Sequence, residues 1–103
     1  MPLLDDQLCA RLPPLYAQEA EDDPIVFARF YLPGTYTAWY VIGGEPDGDD
    51  FLFYGFVMQP ANKFAEFRLS GLAALRGPRG QSVERDLTFT EGRLTDTVPA
   101  PEL

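Results

Sequence analysis

The chain has 103 residues, a net charge of -8, one cysteine and no histidine. These numbers exclude an intrachain disulfide and a structural zinc site, whose usual four ligands are Cys and His. They also oppose direct nucleic-acid binding through a phosphate-neutralising face. The length allows one domain, residues 1–103, and the 46% hydrophobic content, with eight Phe, five Tyr and one Trp, supplies its core.

Residues 4–12 predict a short amphipathic helix, with Leu4, Leu8 and Leu12 on one face and Asp5 and Asp6 at the end that favours negative charge. Pro13–Pro14 ends it, and an acidic loop follows to Asp23. Ile25–Leu32 and Tyr36–Ile42 are dense in β-formers, with Pro33–Gly34 between them suited to a type II turn in a bulged or longer connection. Residues 43–50, rich in Gly, Pro and Asp, read as a second turn region. Phe51–Met58 is continuously apolar, the pattern of a central strand covered on both faces. Gln59–Asn62 makes the third connection.

Lys63–Leu69 alternates, with Phe64, Glu66 and Arg68 on one face and Ala65, Phe67 and Leu69 on the other. Ser70 is placed to N-cap a helix of one to two turns ending at Leu75, before Gly77–Pro78. Val83–Phe89 reads as the last strand, and the tail from Thr95 as loose. The fold class is therefore α+β. It has an antiparallel sheet of about five strands, a four-strand meander plus a C-terminal strand, with one short helix at the N-terminus and one in the C-terminal half.

No catalytic constellation emerges. Asp47, Asp49 and Asp50 resemble the start of a calcium loop, yet position twelve from Asp47 is Met58 where a Glu is required. Cys9 has no histidine partner and reads as a buried or half-buried structural thiol. Arg76-Gly-Pro-Arg-Gly80 lacks the lysine and serine of a phosphate loop. Arg76 suits a helix C-terminus better, although Arg76 and Arg79 remain the residues of an alternative ligand loop. Trp39 with Tyr31, Tyr36, Tyr40 and Tyr54 forms an aromatic band across three strands, explained by packing and, where exposed, suited to contact. The reading is of a protein without metal or cofactor.

The charge is one-sided. Residues 1–50 hold ten acidic side chains against two basic ones, and residues 51–103 hold six of each. Seven of the ten are Glu19, Glu21, Asp22, Asp23, Asp47, Asp49 and Asp50, which makes these the expected contacts for a protein partner with a basic surface. No apolar run is long enough for a membrane span and the first residues do not form a signal peptide, so the expectation is a cytoplasmic protein.

Leu12-Pro-Pro-Leu-Tyr16, Asp22-Asp-Pro-Ile-Val-Phe-Ala28, Trp39–Tyr40, Phe53-Tyr-Gly-Phe-Val57, Phe67-Arg-Leu-Ser70, Arg76-Gly-Pro and Val83-Glu-Arg-Asp-Leu87 occur in that order. Together they resemble a family of small bacterial proteins catalogued as a domain of unknown function, DUF2958, carried on plasmids, phages and conjugative elements. The resemblance covers nearly the whole chain and brings no catalytic motif. It implies a non-enzymatic interaction protein of a mobile element, with an anti-CRISPR or anti-restriction inhibitor that covers a basic nucleic-acid-binding surface as the functional expectation. The alternative is a small-ligand or nucleotide-binding accessory domain using the Arg76–Gly80 loop.

Overall fold

The Asp5 carboxylate accepts the Leu8 N–H at 2.9 Å and caps helix α1 (Asp6–Arg11). The structure is a computed structural model and describes residues 2–59 and 62–97. Leu8 is buried beneath the helix, and Leu4 and Leu12 pack partly against the same core. Cys9 lies on the opposite, exposed side. The expectation of a buried or half-buried thiol is thus corrected: the leucine face points inward and turns Cys9 to solvent.

The Ile25–Leu32 stretch forms two strands, β1 (Ile25–Val26) and β2 (Ala28–Tyr31), where one was expected. In a regular strand Val26, Ala28 and Phe30 would share a face. Here Val26 belongs to one core and Ala28 and Phe30 to another, so the strand breaks at Phe27. The following turn matches its sequence: Thr35 N donates to Leu32 O at 3.2 Å, and Gly34 takes a φ of 77°. Leu32 N bonds Thr37 O at 3.1 Å, which makes the connection a longer loop.

Strand β3 (Ala38–Asp47) runs straight through residues 43–47, and the chain reverses only at Gly48–Asp49 before β4 (Asp50–Met58). The broad turn expected over residues 43–50 is therefore a tight two-residue turn, with Gly48 at a φ of 62°. Glycine and proline at 43, 44 and 46 serve a different purpose. Strand β2 pairs with β3 only as far as Val41, which leaves the next part of β3 as an edge. Residues 13–15 cross that edge, with Gly44 N donating to Pro13 O at 3.1 Å. A Cβ on Gly43 would lie 2.7 Å from Leu15 O, so only glycine admits this crossing. The register of β3 against β4 shifts by a bulge at Ile42, whose carbonyl accepts Gln18 Nε2 at 2.9 Å.

Strand β5 (Lys63–Arg68) pairs with β4 and shows the expected alternation, with Ala65 and Phe67 half-buried and Phe64, Glu66 and Arg68 exposed. The connection before it lies partly outside the described residues. Helix α2 (Leu69–Ala74) starts two residues early, so Ser70 sits in its first turn and is not the cap. The Val83–Phe89 strand is reduced to β6 (Glu84–Arg85), because Asp86 Oδ1 accepts the Thr88 amide and hydroxyl at 3.0 and 2.8 Å and bends the chain away.

Two elements were not expected. Strand β7 (Gly92–Arg93) pairs with β1, and α3 (Leu94–Thr97) follows it. Residues 95–97 of the expected loose tail are thus ordered, and residues 98–103 lie outside the described residues.

The main sheet is antiparallel and has five strands in the order β5-β4-β3-β2-β6, a four-strand meander with the C-terminal strand β6 beside β2. Strand β3 is its centre, and β4 lies one place nearer the edge than expected. Each face carries a core. On one side Phe30, Trp39, Val41, Phe51 and Phe53 pack with Leu8 of α1 and Leu72 of α2. On the other, Tyr40, Ile42 and Met58 pack with Val26 of β1 and Leu94 of α3. Phe53 is fully buried, whereas Phe56, Val57 and Phe67 are half-buried. The smaller cover on the second face leaves its β5 end open.

Candidate functional site

The seven expected acidic contacts fall into two groups with different fates. Glu19, Glu21 and Asp22 lie on a run of successive turns, in which Ala17 N bonds Pro14 O, Glu19 N bonds Tyr16 O and Glu21 N bonds Gln18 O. Their carboxylates are exposed and make no side-chain hydrogen bond or ion pair among the described residues, and the same holds for Asp49 at the hairpin tip.

Asp23, Asp47 and Asp50 are internally bound. Asp23 accepts the Thr95 amide at 3.0 Å and hydroxyl at 2.8 Å, and these two bonds hold its pKa below the ordinary aspartate value. Asp47 pairs with Arg68. Asp50 accepts the Ser70 hydroxyl at 2.6 Å and amide at 3.0 Å, which together with the Phe51 amide lower its pKa.

The two acidic segments do not merge. Gln18 bonds both Ile25 O (2.8 Å) and Ile42 O (2.9 Å), fixing the first loop beside Ile42. Asp47 is five residues further along β3, about 16 Å at the usual strand rise. Among the described residues no group of three His, Cys, Asp or Glu side chains is placed to hold a metal ion.

In the Arg76–Gly80 loop three backbone donors are already used, while the Arg79 side chain is exposed. Gly77 N bonds Gln81 O (2.8 Å), Gly80 N bonds Gly77 O (2.9 Å) and Arg79 N bonds Gln81 Oε1 (2.8 Å). The Gln81 side chain fills the space beside Gly77. The Arg76 guanidinium turns back on α2, donating to Ala73 O at 2.8 Å and Leu75 O at 2.9 Å, as a cation at a helix C-terminus does.

A groove of about 480 Å³ lies between α1 and the segment after β6, lined by Leu8, Arg11, Phe27, Arg85 and Phe89. Its two arginines are paired, Arg11 with Glu91 and Arg85 with Asp5 at 3.1 Å.

The aromatic band divides. Trp39 and Tyr40 are buried, Tyr31 and Tyr54 are half-buried, and Tyr36 is 85% exposed on its turn. A second aromatic group, not drawn from the sequence, gathers at the open end of the second face. Tyr16 packs edge-on to Tyr54 at 5.5 Å, Tyr54 stacks on Phe64 at 6.1 Å, and Phe56 meets Phe64 edge-on at 5.4 Å. Tyr16 is 47% exposed and Phe64 41% exposed. The alternation of β5 already grouped Phe64 with Glu66 and Arg68 on one face, and the structure shows that face exposed. Tyr16, which reaches Tyr54 only through the loop crossing, has no sequence signal. Along the chain, Glu19 follows Tyr16 by three residues, and Asp50, held by Ser70, precedes Tyr54 by four.

Among the described residues no helix is long and apolar enough to cross a membrane. A family model described as "Protein of unknown function (DUF2958)" matches residues 3–98. No curated protein and no solved structure matches the chain.

Proposed function

We propose that this chain, which belongs to the DUF2958 family of proteins of unknown function, acts as a non-enzymatic interaction protein. On this reading it is a cytoplasmic, mobile-element inhibitor of the anti-CRISPR or anti-restriction kind, and it covers a basic nucleic-acid-binding surface on a host defence nucleoprotein. The observation that carries the reading is the division among its carboxylates. Glu19, Glu21, Asp22 and Asp49 are exposed with no internal partner among the described residues, in a chain of net charge -8. Charges held in this way contribute little to folding and much to long-range attraction. The carboxylates whose acidity the fold alters, Asp5, Asp23 and Asp50 among them, are engaged in caps and clasps, which supports a surface role over acid–base chemistry.

The test is association kinetics with purified host defence nucleoproteins, Cas effector complexes and restriction enzymes, at low and moderate salt. The parent is compared with a variant carrying Glu19→Gln, Glu21→Gln, Asp22→Asn and Asp49→Asn. Steering predicts an on-rate that falls about tenfold in the variant and falls with salt in the parent. An on-rate unchanged in the variant, with a parent insensitive to salt, removes the reading.

A further inference from the structure

Arg29, Tyr40, Phe56 and Phe64 are successive partners across four strands and form one row on the second face of the sheet. At the β2 end of this row the Arg29 guanidinium lies over two rings, 5.1 Å from the Tyr31 centroid and 5.7 Å from that of Tyr40. Arg29 Nε donates to the Tyr40 hydroxyl at 3.2 Å, and Nη1 donates to Asp86 at 3.3 Å. Two aromatic rings and one carboxylate thus receive a guanidinium.

The same ingredients recur at the β5 end. The Tyr54 and Phe64 rings are 17° from parallel, and Tyr16 packs against Tyr54. Glu66 is the register partner of Tyr54 and shares the exposed face of β5 with Phe64. The neighbouring cation on that face, Arg68, is held by Asp47. The outer edge of β5 pairs with no strand among the described residues, so the strip is open along its length.

We propose that Tyr16, Tyr54, Phe64 and Glu66 form a docking surface for an arginine-bearing segment of a protein partner. The partner's guanidinium stacks on Tyr54 and Phe64 and pairs with the Glu66 carboxylate. The inference rests on the proposed interaction role for the protein nature of the partner and adds the chemistry that it must present. Charge complementarity selects the occupant: the chain carries -8 overall, and the exposed Glu66 makes no ion pair among the described residues, while Glu19 follows Tyr16 by three residues in the chain. A planar guanidinium stacks on an aromatic face and pairs with a carboxylate at once, where a lysine ammonium is a strongly hydrated point charge. Single-stranded nucleic acid also stacks on aromatic rings, but its phosphates would meet Glu66 on a chain of net charge -8.

The full chain is titrated calorimetrically with a blocked heptapeptide of alternating Arg and Thr, with its Lys counterpart and with oligothymidylate. Proton NMR follows the Arg δ-methylene signals. The Arg peptide is expected to bind about fivefold more tightly than the Lys peptide, with its δ-methylene protons shifted upfield by the rings. Phe64→Leu keeps the apolar volume and removes the ring, so the preference and the upfield shift should diminish. Phe64→Tyr should retain both, and Glu66→Gln should weaken binding. The variant at Glu19, Glu21, Asp22 and Asp49 should slow association yet keep the Arg preference and the ring shift, so failure of the steering reading is distinguishable from failure of this one. A Phe64→Leu variant that behaves as the parent overturns the proposal. So do equal affinities for the two peptides, oligothymidylate competing for the same rings, or a dimer of the chain that buries Phe64. In the parent itself, the absence of saturable Arg-peptide binding or of the ring shift overturns it without recourse to any variant.

Discussion

The Asp50 carboxylate accepts two hydrogen bonds from Ser70, from its hydroxyl at 2.6 Å and its amide at 3.0 Å. A residue on β4 thereby caps a helix that begins nineteen positions later in the chain. The bonds hold the Asp50 pKa below the ordinary aspartate value of 3.8. A carboxylate with a depressed folded pKa contributes stability above its unfolded value, and that contribution is lost as pH falls through the folded pKa. Asp23 behaves likewise through Thr95. The parent should therefore lose stability on acidification below about pH 4, and the Asp23→Asn, Asp50→Asn double variant should show a flatter acid limb. At neutral pH, Asp50→Asn should speed amide exchange in α2 before any other element. Melting curves from pH 2 to 7 and hydrogen exchange check both outcomes; an acid limb identical in the two proteins refutes the first.

The two faces of the sheet differ in what they lose on truncation. Phe53 is fully buried and packs against Phe30, Phe51 and Phe67. Phe53→Ala should cost about 3–5 kcal/mol in urea unfolding. Phe64, 41% exposed on the neighbouring strand, should cost about 1 kcal/mol when replaced by Ala. Equal midpoints for the two variants would contradict the assigned faces.

Gly55 lies where the bulge in β3 brings backbone against backbone. A Cβ there would sit 2.0 Å from Tyr40 O and 2.9 Å from Tyr40 C, neither of which can move without breaking the ladder. Gly55→Ala should cost more than about 3 kcal/mol or prevent folding. Gly48→Ala meets nothing within 4 Å and carries only the penalty of its φ of 62°, about 1 kcal/mol. Circular dichroism melts of the pair test the contrast, which a similar loss in both would negate.

Cys9 on the exposed side of α1 should react with a thiol reagent in the folded protein almost as fast as in denaturant. Ellman's reagent measures this directly. Reaction only upon unfolding would return the thiol to the interior.

The sequence was most legible where a local rule met no competitor. The acidic start of α1, the Pro33–Gly34 turn and the alternation of Lys63–Arg68 were legible because each depends on neighbours within a few residues, although α1 is Asp6–Arg11 and not 4–12, with Asp5 as its cap. The five-stranded α+β sheet follows from these pieces. Legibility failed where a distant segment decided the outcome. Gly43 and Gly44 look like turn residues but give room to residues 13–15. Ser70 looks like a cap but receives one from Asp50. Two residues of β7 are too few to show any period, and they exist because β1 offers a partner. The candidate surface divides in the same way: the acidic residues were chosen from sequence, whereas the internal use of Asp23, Asp47 and Asp50, the meeting of Phe64 with Tyr54 and the arrival of Tyr16 beside Tyr54 depend on tertiary contacts.

The bond between Asp23 and Thr95 spans 72 residues, which bears on how the protein is born. Synthesis delivers the N-terminal half first, and the β2–β5 meander can assemble through neighbouring hairpins as it emerges. The β1–β7 clasp has to wait for the far end of the chain. Until residues 92–97 are made, Val26, Tyr40 and Ile42 lack the cover of Leu94. A nascent chain stalled before that point should therefore present one finished core and one unfinished one, and it should recruit holding chaperones to a single side of the sheet.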